Sequence, residues 1–164
     1  MCARQQGDRG KICVRACRTE DCSRIREILE DSREAGHWSA SSMVETLQEH
    51  PRHFLLAWQD EEIAGFISGR RVADEGEILN LAVKPESRRS GVGKTLVLAL
   101  LDGFWREGAV QVFLEVRESN DAALAFYRGM GFRQIGRRAG YYRQPEEAAL
   151  VLALRRSRTV GTSV

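Results

Sequence analysis

The 164-residue chain has no apolar run approaching the roughly 20 residues that a membrane-spanning helix requires. Its start, MCARQQGDRGK, has no apolar segment of the kind a secretory leader needs, so a cytoplasmic protein is expected. Cysteine is scarce and confined: Cys2, Cys13, Cys17 and Cys22 all precede position 23, with no C-x-x-C pair among them. That spacing is poor for zinc and reads as free thiols in a reducing compartment. His37, His50 and His53 lack the H-E-x-x-H spacing of a helical metal site, so no metal is expected. Repeats and low-complexity segments are absent too. Charge of one sign is not in excess, the net being +2. Arg4, Arg9 and Lys11 against Asp8 make one end basic, and Arg155, Arg156 and Arg158 do the same at the other. The stretch between them is net acidic, which argues against the basic face that binding a phosphate backbone requires. Neither nucleic acid nor membrane is an expected partner.

What is present is an ordinary globular composition, 43% hydrophobic and 29% charged, at a length that predicts one domain. That domain is placed at residues 12–154, between a basic tail at 1–11 and another at 155–164. Ile12 to Ala16 reads as a strand. Ile25, Ile28 and Leu29 at helical spacing predict a helix capped near Thr19 or Asp21 and stopped by Gly36. Met43, Val44 and Leu47 predict a second helix before Pro51. HFLLAWQ, IAGFISGRRV and EILNLAVK, separated by DEE and DEG turns, read as an antiparallel meander. A helix over about 91–107 carries the stripe Leu96, Leu100, Leu101 and Phe104. The strand VQVFLEVRE, a helix from Asn120 to Gly129, the strand GFRQIGRR and the strand AALVLALR complete the chain. The order β-α-α-β-β-β-α-β-α-β-β predicts an α/β (α+β) fold around one mixed sheet.

The segment LAVKPESRRSGVGKTL runs from a strand through a loop into a helix start. Helix starts offer unpaired N–H groups, and glycines let a phosphate come close to them. A nucleotide P-loop is excluded because Arg88 stands where its first glycine belongs. The dinucleotide pattern fails at Leu96. A plain tight turn with a solvated arginine pair is the competing reading. Together with LEVRESNDAALAFYRGMGF, however, this segment resembles the GNAT superfamily of N-acyltransferases, whose [QR]-x-x-G-x-[GA] pattern is met by Arg88, Gly91 and Gly93. The LEVR-x-SN run and RRAGYY most resemble the RimI type within it, which acetylates the N-terminal alanine of a small-subunit ribosomal protein. Departures from that type are Arg88 in place of the commoner glutamine, Ala139-Gly140 before the tyrosine pair, and QPEEA before the last strand.

Acetyl transfer from a thioester to an amine needs a base for the amine, a donor for the oxyanion and an acid for the departing thiolate. In VQVFLEVR the apolar Val112, Leu114 and Val116 point one way, so Glu115 shares the other face with Phe113 and Arg117. Glutamate is an unfavourable choice in a central strand. It is either a functional carboxylate or the partner of Arg117 or another arginine. Tyr127 lies about two helical turns beyond Asn120, so the two share a helix face. Tyr127 reads equally as a core tyrosine, and Asn120 as a helix cap.

The resemblance implies the GNAT fold, a mostly antiparallel sheet flanked by helices, and acetyl-CoA as cosubstrate without a metal. It implies Glu115 as general base, Tyr127 as general acid and Asn120 on the pantetheine arm. Backbone groups of Leu81, Ala82 and Val83 would bind the acetyl carbonyl. Arg88, Arg89, Ser90, Gly91, Val92, Gly93 and Lys94 would bind the pyrophosphate. Trp38, Tyr141 and Tyr142 are candidates for a peptide groove, although packing explains each as well. The expected activity is transfer to a protein N-terminal amine. Alternatives are a small-molecule amine, a lysine side chain, or a silent acyl-CoA-binding module.

Overall fold

The computed structural model describes residues 11–31 and 40–157. Cys2, Gly36, His37, Trp38 and Arg158 lie outside them, so the readings on those residues have no structural counterpart here. The chain divides into two compact units, one of residues up to 70 with 78–103, the other of residues 71–77 with 104 onward.

In the first unit, β1 (Cys13–Ala16), β2 (Phe54–Gln59), β3 (Glu62–Val72) and β4 (Glu75–Val83) follow one another in order across the sheet. β1 with β2 and β2 with β3 are antiparallel. Helices α1 (Cys22–Asp31) and α2 (Ala40–Glu49) contribute Ile25, Ile28, Met43 and Leu47 to a core with Phe54, Leu56 and Phe66. The rings of Phe54 and Phe66 lie 5.6 Å apart. Each such fully buried side chain adds about 1.5–3 kcal/mol of transfer free energy. Asp21 caps the turn into α1 by accepting the Arg18 N–H at 2.9 Å. It is also held by the Arg15 guanidinium at 2.8 Å through both oxygens. The cysteine expectation is corrected in part: Cys17 and Cys22 are free thiols, but Cys13 is disulfide-bonded.

Gly65 in β3 was not singled out by sequence. A Cβ there would meet the Ala82 carbonyl oxygen at 2.6 Å, so β3 and the end of β4 approach as only glycine permits. The Lys84 N–H donates to the Ala64 carbonyl at 2.9 Å just beyond it. Together these contacts fix where β4 ends and the loop to α3 (Val92–Arg106) begins.

In the second unit β5 (Gln111–Arg117), β7 (Glu146–Arg155) and β6 (Arg133–Arg143) lie in that order, antiparallel throughout, with α4 (Asp121–Gly129) between β5 and β6 in the chain. Val112, Leu114 and Val116 are buried while Phe113, Glu115 and Arg117 are less so, the alternation the sequence predicts. The last two strands are longer than expected, because residues 139–143 and 146–147 pair or bulge where polar composition reads as loop. β6 carries two irregularities. One lies between Gln134 and Gly136, and the other between Arg138 and Tyr142, where β6 advances four residues while β7 advances from Ala149 to Glu147.

Candidate functional site

The first unit supplies the candidate anion loop. After Val83, Ser87 and Arg88 close tight turns by donating to Lys84 O at 2.9 Å and Pro85 O at 3.2 Å. Arg88 Nε donates to Val83 O at 3.2 Å, and Ser90 Oγ donates to Ser87 O at 2.6 Å. Arg88 therefore braces the end of β4. Arg89 and Gly91 both have left-handed backbone, φ 62° and 93°. Thr95 N–H and Oγ1 donate to Gly91 O, each at 3.0 Å, as α3 starts. The N–H groups of the turn before Thr95 have no helical acceptor. Left-handed residues leading into such a turn form the kind of concavity that binds phosphate oxygens. Arg88, Arg89, Ser90, Gly91 and Lys94 are exposed, Gly93 is half-buried, and Val92 is buried at 1% exposure. Val92 thus packs its side chain inward and offers only its amide. These residues fit a pyrophosphate. Along β4, Ala82 is buried and Leu81 and Val83 are half-buried.

The second unit carries Glu115, Asn120 and Tyr127. Asn120 caps α4, its Oδ1 accepting the Ala123 N–H at 3.0 Å, so the structural role is realised and the amide nitrogen is the group left for a ligand. Tyr127 is 6% exposed, its ring edge-on to Phe126 at 5.0 Å and to Phe132 at 5.5 Å. Burial pushes its phenol well above the ordinary tyrosine value, which keeps the proton on. The ring packs while the hydroxyl keeps its hydrogen.

Glu115 is bonded by Arg138, whose Nη1 donates to Oε1 at 2.5 Å. The other candidate, Arg117, instead meets Glu147 at 3.3 Å, and its Cζ lies 3.9 Å from the centre of the Tyr142 ring. Arg138 stands in the same way over Tyr141, at 4.7 Å. Interaction with the Glu115 carboxylate first, then burial, pushes the Tyr141 phenol up to about 12. Sequence reading named both tyrosines but not Arg138. RRAGYY places Arg138 three residues before Tyr141, but nothing local in it shows the reach to Glu115.

A cleft of about 370 Å³ lined by Arg24, Glu27, Glu61, Glu62, Ile63 and Lys84 contains none of the expected site residues. Among the described residues no group of three or more His, Cys, Asp or Glu is arranged to hold a metal. Within them, no helix is long and apolar enough to cross a membrane.

Residues 22–132, more than half of the chain, match the model of the Acetyltransferase (GNAT) family. The chain is 34% identical over 128 residues to the [ribosomal protein bS18]-alanine N-acetyltransferase of Escherichia coli (strain K12), covering 77% of this chain and 86% of the relative. The crystal structure of the ribosomal-protein-S18-alanine N-acetyltransferase from Escherichia coli matches with a TM-score of 0.78 and 27% identity, over 94% of this chain and 99% of that one. A chain of the NatC complex bound to Gag peptide and CoA matches with a TM-score of 0.80 and 26% identity, over 90% and 99%.

Proposed function

The chain belongs to the acetyltransferase (GNAT) family, and we propose that it moves the acetyl group of acetyl-CoA directly onto the N-terminal α-amine of a protein, the alanine of a small-subunit ribosomal protein. The observation that carries this reading is the 34% identity to the Escherichia coli [ribosomal protein bS18]-alanine N-acetyltransferase across 77% of the chain. Its site residues support it. The thioester supplies an activated acetyl group. The amides of Arg89 to Lys94 hold the pyrophosphate, with the charges of Arg89 and Lys94 beside them, and Arg88 shapes the loop. Backbone groups of Leu81, Ala82 and Val83 receive the acetyl carbonyl, and the Asn120 amide holds the pantetheine arm. Glu115 takes the proton from the amine, directly or through water. Tyr127, held neutral by burial, gives one to the leaving sulfur. No acyl-enzyme is required, and the reaction runs in the cytoplasm, where ribosomal proteins are made.

The test is incubation with acetyl-CoA and paired peptides, one starting with alanine and one blocked at its terminus but carrying a lysine. Mass spectrometry then locates the added acetyl. Modification of the free alanine alone is expected. Acetylation of lysine, or of neither peptide, would overturn the assignment.

A further inference from the structure

We propose that Arg138 is a positioning residue for the transfer, holding the Glu115 carboxylate, and that the bulge in β6 sets the Tyr141 ring beneath its guanidinium. The proposal rests on the reading of Glu115 as the base.

The register explains how Arg138 reaches its partner. Glu115 stands opposite Val151 of β7, which stands opposite Gly136 of β6. One step along, Arg117, Ala149 and Arg138 form the next row. Directly opposed residues share a face, so Glu115, Arg117 and Arg138 project on the same side of the sheet. Gly136 leaves the place beside Val151 without a side chain, and Arg138 crosses diagonally to the carboxylate. Regular pairing would put residue 141 on the opposite face from residue 138. Between Arg138 and Tyr142, however, β6 spends two residues more than β7, with Gly140 at φ 60°. That bulge brings the Tyr141 ring back beneath the guanidinium.

The fold gains little from this pair. Arg138 is 58% exposed, and exposed ion pairs contribute little to stability. Placement gains more. A base must stay within hydrogen-bond reach of the proton it removes, and a glutamate side chain left to rotate does not. A guanidinium is always charged and only donates, so it fixes one side of the carboxylate without competing for the proton. A carboxylate has about four acceptor positions, so a donor on one oxygen leaves room for water or the amine.

A double-mutant cycle on the full chain tests this, with acetyl-CoA and an alanine-initiated peptide, reading kcat and both KM values for Arg138→Ala, Arg138→Lys, Glu115→Gln and Arg138→Ala with Glu115→Gln. Arg138→Ala is expected to lower kcat by about 10- to 10²-fold with KM little changed, the loss that follows from misplacing a reacting group by about 1 Å. Arg138→Lys should recover part of it, and in the Glu115→Gln background Arg138→Ala should cost almost nothing more. A raised peptide KM at unchanged kcat would make Arg138 a substrate contact and overturn the proposal. So would the same fold-loss in both backgrounds. If Glu115→Gln alone keeps the wild-type kcat, the base assignment itself falls, an outcome distinct from a slow Glu115→Gln with an additive Arg138 effect. Thermal unfolding establishes that each variant is folded. Should Arg138→Ala not fold, Arg138→Met, which keeps the apolar stem over the Tyr141 ring and removes the donors, takes its place in the cycle under the same criteria.

Discussion

The proposed mechanism gives Tyr127 two roles at a single position, and Tyr127→Phe separates them because it removes the hydroxyl and keeps the ring between Phe126 and Phe132. As general acid, Tyr127 should lose about 10²- to 10⁴-fold in kcat on this change, with acetyl-CoA affinity nearly intact by calorimetry. An unchanged kcat with chemistry rate-limiting would leave it a packing residue. For Glu115 the amine's own titration gives the test. An α-amine has a pKa of about 7.7 to 8.0, so the base matters most at pH 7 and least near pH 9. Glu115→Gln should therefore cut the rate on an alanine-initiated peptide strongly at pH 7 and less as pH rises. A loss independent of pH would point to structural damage. The sequence singles out both residues as candidates, for different reasons. Glu115 is a carboxylate in a strand between the buried Leu114 and Val116, where its residue type is unfavourable. Tyr127 was found through resemblance, since a buried tyrosine on a helix reads as core. Arg138 was not legible, because its reach to Glu115 depends on a register that no local pattern encodes.

At the scale of elements, the loop into α3 was read correctly from proline, glycine and the helix period that follows them. The physical reason is that its conformation is local: Gly91 needs φ 93°, which side chains rarely adopt. Gly91→Val should therefore be strained even though the space around its Cβ is nearly open, with Ile12 Cδ1 at 3.8 Å the one neighbour met. Gly91→Val or Gly93→Val should weaken acetyl-CoA binding in calorimetric titration more than Arg88→Ala, whose guanidinium braces Val83 O and is not spent on the ligand alone. Equal small effects from all three would remove the loop from phosphate binding. The β6–β7 hairpin was read too short. Its pairing is set by contact with β7 and by two bulges, and a sequence rule that counts alternating residues stops where the first extra residue breaks the alternation. Gly65 escaped for a related reason, since its importance lies in the backbone of another strand.

Across the whole molecule, stability should fall at both ends of the pH scale. Asp21 is held below the usual carboxylate range first by its bonds to Arg15, against burial, with the Arg18 amide adding to them. Its contribution is complete above the ordinary aspartate value of about 3.9 and is lost as pH falls through its lower folded value. Asp21→Asn should thus lower the unfolding temperature at pH 7, and the gap to wild type should close in strong acid. A gap that persists there would assign the loss to packing. On the alkaline side, burial raises Tyr127, so folding is disfavoured as pH climbs past the ordinary tyrosine value of about 10.

β6 also ends its sheet, with no strand paired beyond it among the described residues. An outermost strand with open amide and carbonyl groups is a template on which a second chain can add, and long flat edges invite aggregation. Here the edge is interrupted at two bulges and carries Arg133, Arg137, Arg138 and Arg143. A neighbouring copy finds neither an unbroken ladder nor a neutral surface. The irregularity that brings an arginine to Glu115 therefore also protects the molecule from stacking on itself when concentrated.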